Sequence, residues 1–211
     1  MKGVQELLLK MRTGIRNRVP SFIAILFIAV LVGIDQLTKL LVVRYIEYRG
    51  SVVVLKGVFD FTHWRNDGAA FGILSGQQTL LITVTGVFLA GGLLLLLLGK
   101  IRSKGLLTSF TLIIAGGIGN FIDRVLQGYV VDFIELKFIN FAIFNFADMC
   151  AVCGSILLVF VAISEEIREY QAKRACSDAD VTAVTDVTID GKEQEIENPN
   201  NSDKLDKSRD I

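Results

Sequence analysis

The chain has 211 residues, 52% of them hydrophobic, and a mean hydropathy of +0.52, well above that of an ordinary soluble domain. Its zero net charge hides an asymmetry: residues 1–164 hold 15 Lys/Arg and 9 Asp/Glu, a balance of +6, whereas residues 165–211 hold 7 and 13, a balance of −6. These values describe a basic, membrane-like body with a polar tail, and three cysteines give no disulfide framework.

Residues 1–20 form a basic N-terminus, with Lys2, Lys10, Arg12, Arg16 and Arg18 opposed only by Glu6. A hydrocarbon core about 30 Å thick needs roughly 20 apolar residues per helix. Four windows meet that length, at residues 21–43, 77–98, 106–126 and about 143–163, within a membrane domain expected over 21–170. The first is too long for the apolar part of a cleaved signal peptide, contains Asp35 and Lys39, and lacks a small-residue cleavage site, so it is expected to remain as a span. Lys100, Arg102 and Lys104 crowd the link between spans two and three. The positive-inside rule then puts both termini and that link in the cytoplasm, and the loops near 44–76 and 127–142 outside.

The loop over residues 44–76 contains "SVVVLKGVFDFTHWRNDGAAF", rich in Val, Phe and Trp and broken by Gly57 and Gly68. It is expected to form two short strands, a small sheet on the outer membrane surface, with His63 as a polar residue at its edge. The second outer loop, "QGYVVDFIELKFINFAIF", alternates apolar and polar residues and is expected to rest in the interface. Cys150 and Cys153 share a helical face in an apolar run and are expected to pack as small hydrophobes. Residues 171–211 form an acidic tail that cannot bury enough apolar surface to offset ordering entropy, and are expected to be disordered. The fold class that follows is mainly α, four transmembrane helices with an extracytoplasmic β-sheet platform between helices 1 and 2.

Ionisable groups inside a span cost roughly 2.5–3.5 kcal/mol on insertion scales. In this topology they converge on one depth. Asp35 and Lys39 lie in the outer third of span one, four apart on one face, with the acid N-terminal to the base. Asn120, Asp123 and Arg124 end span three, Asn145 and Asp148 begin span four, Asp132 falls just past the interface, and Asn66 precedes span two.

Each residue alone has an ordinary reading. Arg124 or Lys39 can anchor a helix at the headgroups, Asp35 and Lys39 can bridge helices, and Asp123 can be neutralised by its neighbour Arg124. Gly116, Gly117 and Gly119 can simply let helices approach closely. Together, carboxylates and amides from several spans point to carboxylate chemistry. Two carboxyls held close cannot both ionise easily, so one keeps a proton near neutral pH. One can then deprotonate water while its protonated partner polarises a carbonyl, and the two titrate as a pair. Asp123, Asp132 and Asp148 are all candidates, and spacing does not choose among them.

Zinc-protease and serine-protease signatures and a nucleotide-binding loop are absent, and "GIGN" has Asn where a GxGD protease has its Asp. No metal, other cofactor or nucleic-acid partner is expected. An ion-coupled carrier would need polar groups through the full membrane depth, but the inner halves of the spans are nearly all apolar and no inverted repeat is visible. One copy holds every motif, so a monomer suffices.

"DQLTK", "NDGAAFG", "GGIGNFIDR", "VVDF" and "FNFAD" occur in an order and spacing that resembles the bacterial lipoprotein signal peptidases, signal peptidase II, over roughly residues 30–150. The resemblance implies a membrane aspartic endopeptidase. It would remove the signal peptide of prolipoproteins just before a diacylglyceryl-modified cysteine, and globomycin-type peptides would block it. Only through this resemblance do Asp132 and Asp148 become the expected catalytic pair, with Asp123 in support. Asn66, Gly116, Asn120, Arg124 and Asn145 then fall on positions that hold substrate or shape the site, and Asp35 and Lys39 fall on the first-span motif. The partners implied are the prolipoprotein and membrane lipid.

Overall fold

Seven elements follow in chain order: α1 (Lys2–Tyr45), β1 (Ser51–Leu55), β2 (Phe59–Asn66), α2 (Gln78–Leu97), α3 (Lys104–Gln127), β3 (Val130–Leu136) and α4 (Phe146–Ile196). The computed structural model describes residues 2–69, 73–101 and 103–196, and the chain forms two units, residues 1–162 and 163–211. Four stretches are long and apolar enough to cross a membrane: Ser21–Tyr45, Gln78–Leu97, Lys104–Gln127 and Phe146–Arg174. They coincide with the four expected windows, the last extending further at its C-terminal end.

Close helix approach sets the packing of the first unit. At Gly154 of α4 an added Cβ would stand 2.8 Å from Leu112 Cβ and 2.9 Å from the Ile113 backbone nitrogen of α3. At Gly116 of α3 it would run into the backbone of Ala147 and Ala151 of α4. The backbones therefore meet only because no side chain stands between them. On the other side of α3, Ile114 and Ala115 bury against Leu89 and Leu96 of α2 and Ile28 of α1. Apolar side chains such as Phe22, Leu26, Val87 and Phe160 stay exposed, as a lipid-facing surface requires.

The sheet has the order β1-β2-β3, antiparallel throughout. Two strands were expected in this region. The third comes from the loop after α3, where "VVDFIEL" supplies β-branched and aromatic residues to pair with the second edge of β2. Gly128 makes this possible. Its left-handed φ of 76° caps α3, its N–H donates to the Arg124 carbonyl, and β3 starts two residues later. A shift of register between Phe61 and Trp64 then sets Trp64 opposite Asp132 and Asn66 opposite Val130. Trp64, Asn66 and Asp132 thereby share one face of the sheet.

One expectation changes. His63 is not at the sheet edge: it lies in the central strand, buried, with Nδ1 2.9 Å from the Ile46 carbonyl oxygen. The second unit is described by residues 163–196, which are helical. Local propensity accounts for its start, since Glu, Arg, Gln, Lys and Ala follow Ser164 and pairs such as Glu169 and Lys173 stand four apart. The rest of the tail, 197–211, lies outside the described residues.

The packing makes a contrast between two glycines testable. Gly154→Ala places a methyl against the backbone of α3 and is expected to lower stability by about 1–3 kcal/mol in thermal unfolding in detergent. Gly91→Ala meets no atom within 4 Å and is expected to leave the midpoint unchanged or raise it slightly. Equal effects of the two substitutions would contradict the packing described.

Candidate active site

Lys39 and Asp35 lie one turn apart on α1, 3% and 1% exposed. A buried ammonium needs an acceptor for each of its three protons. Lys39 Nζ has them: Asp35 Oδ2 at 2.9 Å, Asp123 Oδ2 at 3.0 Å and Asn120 Oδ1 at 2.9 Å. Two carboxylates on one ammonium leave a negative charge over, which N–H donors take up. Ala147 N donates to Asp35 Oδ1, Val131 N to Asp123 Oδ2, and Gln36 Nε2 to both acids and to the Gly119 carbonyl. The network thus ties α1 to α3, to the start of α4 and to β3.

The start of α4 is built as a reciprocal cap. Asn145 precedes the helix and its Oδ1 accepts from Asp148 N at 2.9 Å, while Asp148 Oδ2 accepts from Asn145 N at 3.0 Å. This is the capping-box arrangement with Asn and Asp in place of Ser and Glu, and it fixes the Asp148 carboxyl at the positive end of a helix. With its oxygen so engaged, Asn145 turns its Nδ2 outward, donating to Asp132 Oδ1 at 2.7 Å and Asn120 Oδ1 at 3.0 Å. Asn120, whose Oδ1 is held by Lys39, directs its own Nδ2 to Asp148 Oδ1 at 2.7 Å. Two amides therefore link Asp132 to Asp148, each oriented by partners on its other side.

Asp132 is held from the sheet as well. Asn66 Oδ1 accepts from Gly68 N at 3.0 Å, in a turn closed by its own side chain, which leaves Nδ2 to donate to Asp132 Oδ2 at 2.9 Å. Burial, reinforced by the nearby Asp148 carboxyl, pushes the Asp132 carboxyl up to about 7, against the opposing Asn66 and Asn145 N–H groups and the Lys39 charge. Such a group shares its proton near neutrality.

Both aspartates line a cavity of about 490 Å³. Asn66, Asn120 and Arg124 complete its polar wall, and Phe141, Ile143, Phe144, Met149 and Val152 give it an apolar one. It suits an apolar chain that presents a reacting polar group to one side.

The structure brings together the residues expected at the site, though not always as expected. Asp123 pairs with Lys39 and not with its neighbour Arg124. Arg124 instead reaches the cavity, where Nη2 donates to the Gly68 carbonyl at 2.9 Å and the buried Nε has no partner among the described residues. Gly116 contributes only its lack of a side chain. Cys150 is buried as expected, but Cys153 is exposed and lines the cavity. Gln36 was missed, although a lone amide in a lipid-spanning helix is itself a signal. The carbonyl of Gly68 left no side-chain trace to find.

Comparison with known proteins places the chain among relatives. The family model for signal peptidase (SPase) II, Peptidase_A8, matches residues 27–164, a stretch that holds the whole network. The lipoprotein signal peptidase of Streptococcus agalactiae serotype V (strain ATCC BAA-611 / 2603 V/R) is 46% identical over 137 residues, 64% of this chain and 88% of the relative. That of Streptococcus thermophilus (strain CNRZ 1066) is 43% identical over 139 residues, 66% and 91% of the two chains. A bacterial membrane enzyme solved by the in meso method at 2.3 Å matches with a TM-score of 0.64 and 34% identity, covering 68% of this chain and 88% of that one. The match in sequence and in fold covers the four apolar helices and the sheet beside them, and the chain belongs to the lipoprotein signal peptidase (signal peptidase II) family, the aspartic endopeptidases of bacterial membranes.

Proposed function

We propose that Asp132 and Asp148 are the catalytic pair, and that the chain cleaves prolipoproteins just before a cysteine bearing diacylglycerol. The observation that carries this reading is the two-amide link. Asn120 and Asn145 hold both carboxyls on the wall of one largely apolar cavity. The pair holds one proton. The ionised carboxylate takes a proton from a water, whose oxygen adds to the scissile carbonyl, while the protonated carboxyl donates to the carbonyl oxygen. The tetrahedral gem-diol then breaks its C–N bond as one carboxyl passes its proton to the leaving amine and a diol hydroxyl gives its proton to the other carboxylate, so the pair again holds one proton. Asn66 and the amide pair keep the carboxyls in place, and Arg124 is suited to hold a peptide carbonyl of the substrate. The apolar wall accepts the signal peptide and the lipid of the modified cysteine.

The basic residues at the N-terminus and between α2 and α3 favour an orientation with both termini in the cytoplasm of a bacterial inner membrane. The sheet and the aspartates then lie at the outer leaflet. One copy supplies every residue of the site, so a monomer suffices, and globomycin-type peptides would occupy the cavity in place of substrate.

Asp132→Asn and Asp148→Asn are each expected to lower cleavage of a diacylglyceryl-modified prolipoprotein by at least about a thousandfold, with membrane insertion intact. Turnover near wild type in either variant removes that residue from the pair. Arg124→Ala is expected to reduce kcat/KM by less than either aspartate change, and an unaltered value would exclude it from the site.

The pH profile follows from Asp132. As pH rises through about 7 its carboxyl loses the proton, both acids are charged and none is left to donate, so kcat/KM falls on the alkaline side. Linkage has the same sign, because the native state binds this proton more tightly than the unfolded chain. The contribution to stability is full below the unfolded value and is lost as pH rises through about 7. Cleavage that stays flat from pH 6 to about 9 would contradict this assignment.

A further inference from the structure

The surface of the first span changes character where its helix ends. Leu40, Leu41 and Val43 are exposed apolar residues, and α1 stops at Tyr45. Arg44 occupies the last turn, and exposed Tyr48, Arg49, Trp64 and Arg65 follow on the adjoining loop and on β2. The Arg49 guanidinium lies over the rings of Tyr48 and Trp64, 5.3 and 5.7 Å from their centroids. The Arg65 guanidinium lies 4.8 Å from the centroids of both Tyr48 and Tyr129. Two cations thus share one tyrosine ring. Among the described residues, neither they nor Arg44 form an ion pair with a carboxylate.

The cluster is held in place. Arg49 has a left-handed φ of 67°, a conformation that a side chain of this size adopts only under constraint. The constraint is visible: Arg49 N donates to the His63 carbonyl at 2.9 Å and His63 N donates to the Gly50 carbonyl at 3.1 Å. A guanidinium held over aromatic rings can still offer N–H groups to a second partner, and its planar fork suits a phosphate in bidentate fashion.

We propose that Arg49 and Arg65, with Tyr48, Trp64 and Tyr129, bind the phosphate headgroup of an anionic membrane lipid. Placement favours a lipid over a soluble partner, because the patch begins within one turn of the lipid-facing end of α1, where aromatic residues and arginines meet headgroups. It also adjoins the site: Trp64 is the cross-strand partner of Asp132, so an occupied headgroup site braces the strand beside the aspartate.

Trp64 is the only tryptophan of the chain, so its fluorescence reports on this patch alone. The full-length protein is placed in phosphatidylcholine nanodiscs with increasing fractions of phosphatidylglycerol brominated at shallow acyl positions. Quenching of Trp64 is expected to saturate at fractions where equally brominated phosphatidylcholine has little effect. Arg49→Gln/Arg65→Gln is expected to weaken this preference about tenfold, and Arg49→Lys/Arg65→Lys, which keeps the charge and loses the planar fork, to fall between. Equal quenching by the two lipids would overturn the proposal, as would an undiminished preference in the Gln or the Lys pair. Displacement of the labelled lipid by millimolar inorganic phosphate would instead identify a soluble-anion site, and displacement by an acidic peptide a protein-binding one; either result overturns the lipid assignment.

Discussion

The Lys39 ammonium donates one proton each to Asp35, Asp123 and Asn120 inside the helix bundle, and most of the site can be traced outward from those three contacts. Through Asp35 the charge reaches the Ala147 N–H at the start of α4. Through Asp123 it reaches the Val131 N–H next to Asp132. Through Asn120 it orients the amide that donates to Asp148. A buried charge of this kind is costly unless every proton and lone pair is matched, and for that reason it admits few arrangements of the four segments around it. Close packing is the second requirement. Gly116 and Gly119 bring α3 against the start of α4, and a Cβ at Gly119 would stand 2.5 Å from Asp35 Oδ2.

The two proposed catalytic carboxyls are held by different kinds of structure. Asp148 belongs to a helix cap, where reciprocal bonds with Asn145 set its direction whatever occupies the cavity. Asp132 belongs to a strand, and its position depends on the shift of register that sets it opposite Trp64 and near Asn66. Asn145 serves both, as the cap of α4 and as a donor to Asp132. The pair is therefore held by amide donors on its far sides. Its open side is the cavity, apolar over much of its wall, where desolvation keeps a proton on Asp132 near neutral pH.

Much of the architecture was legible in the sequence because a membrane imposes a length on its helices. Apolar runs of about twenty residues marked the spans, and the placement of Asp, Asn and Arg near their outer ends marked the depth of the site. What escaped was pairing between distant parts of the chain. β3 became a strand because β2 had an edge to offer, and nothing within "VVDFIEL" states that. Asp123 looked like the partner of adjacent Arg124, whereas helix geometry turns neighbours to different faces and Lys39 of another span takes the acid. For the same reason spacing alone left Asp123, Asp132 and Asp148 equivalent, and the family motifs were needed to separate them. In the fold the difference is physical: Asp123 faces an ammonium, while Asp132 and Asp148 face the cavity.

The dependence of the fold on Lys39 can be measured directly through unfolding of Lys39→Met, alone and combined with Asp123→Asn. Removing the ammonium leaves Asp35 and Asp123 buried without their counter-ion and is expected to cost about 3–5 kcal/mol together with most of the cleavage activity. Adding Asp123→Asn removes one of the stranded charges, so the double variant is expected to recover part of that stability. A Lys39→Met protein as stable and as active as the wild type, or a double variant less stable than Lys39→Met alone, would contradict the account.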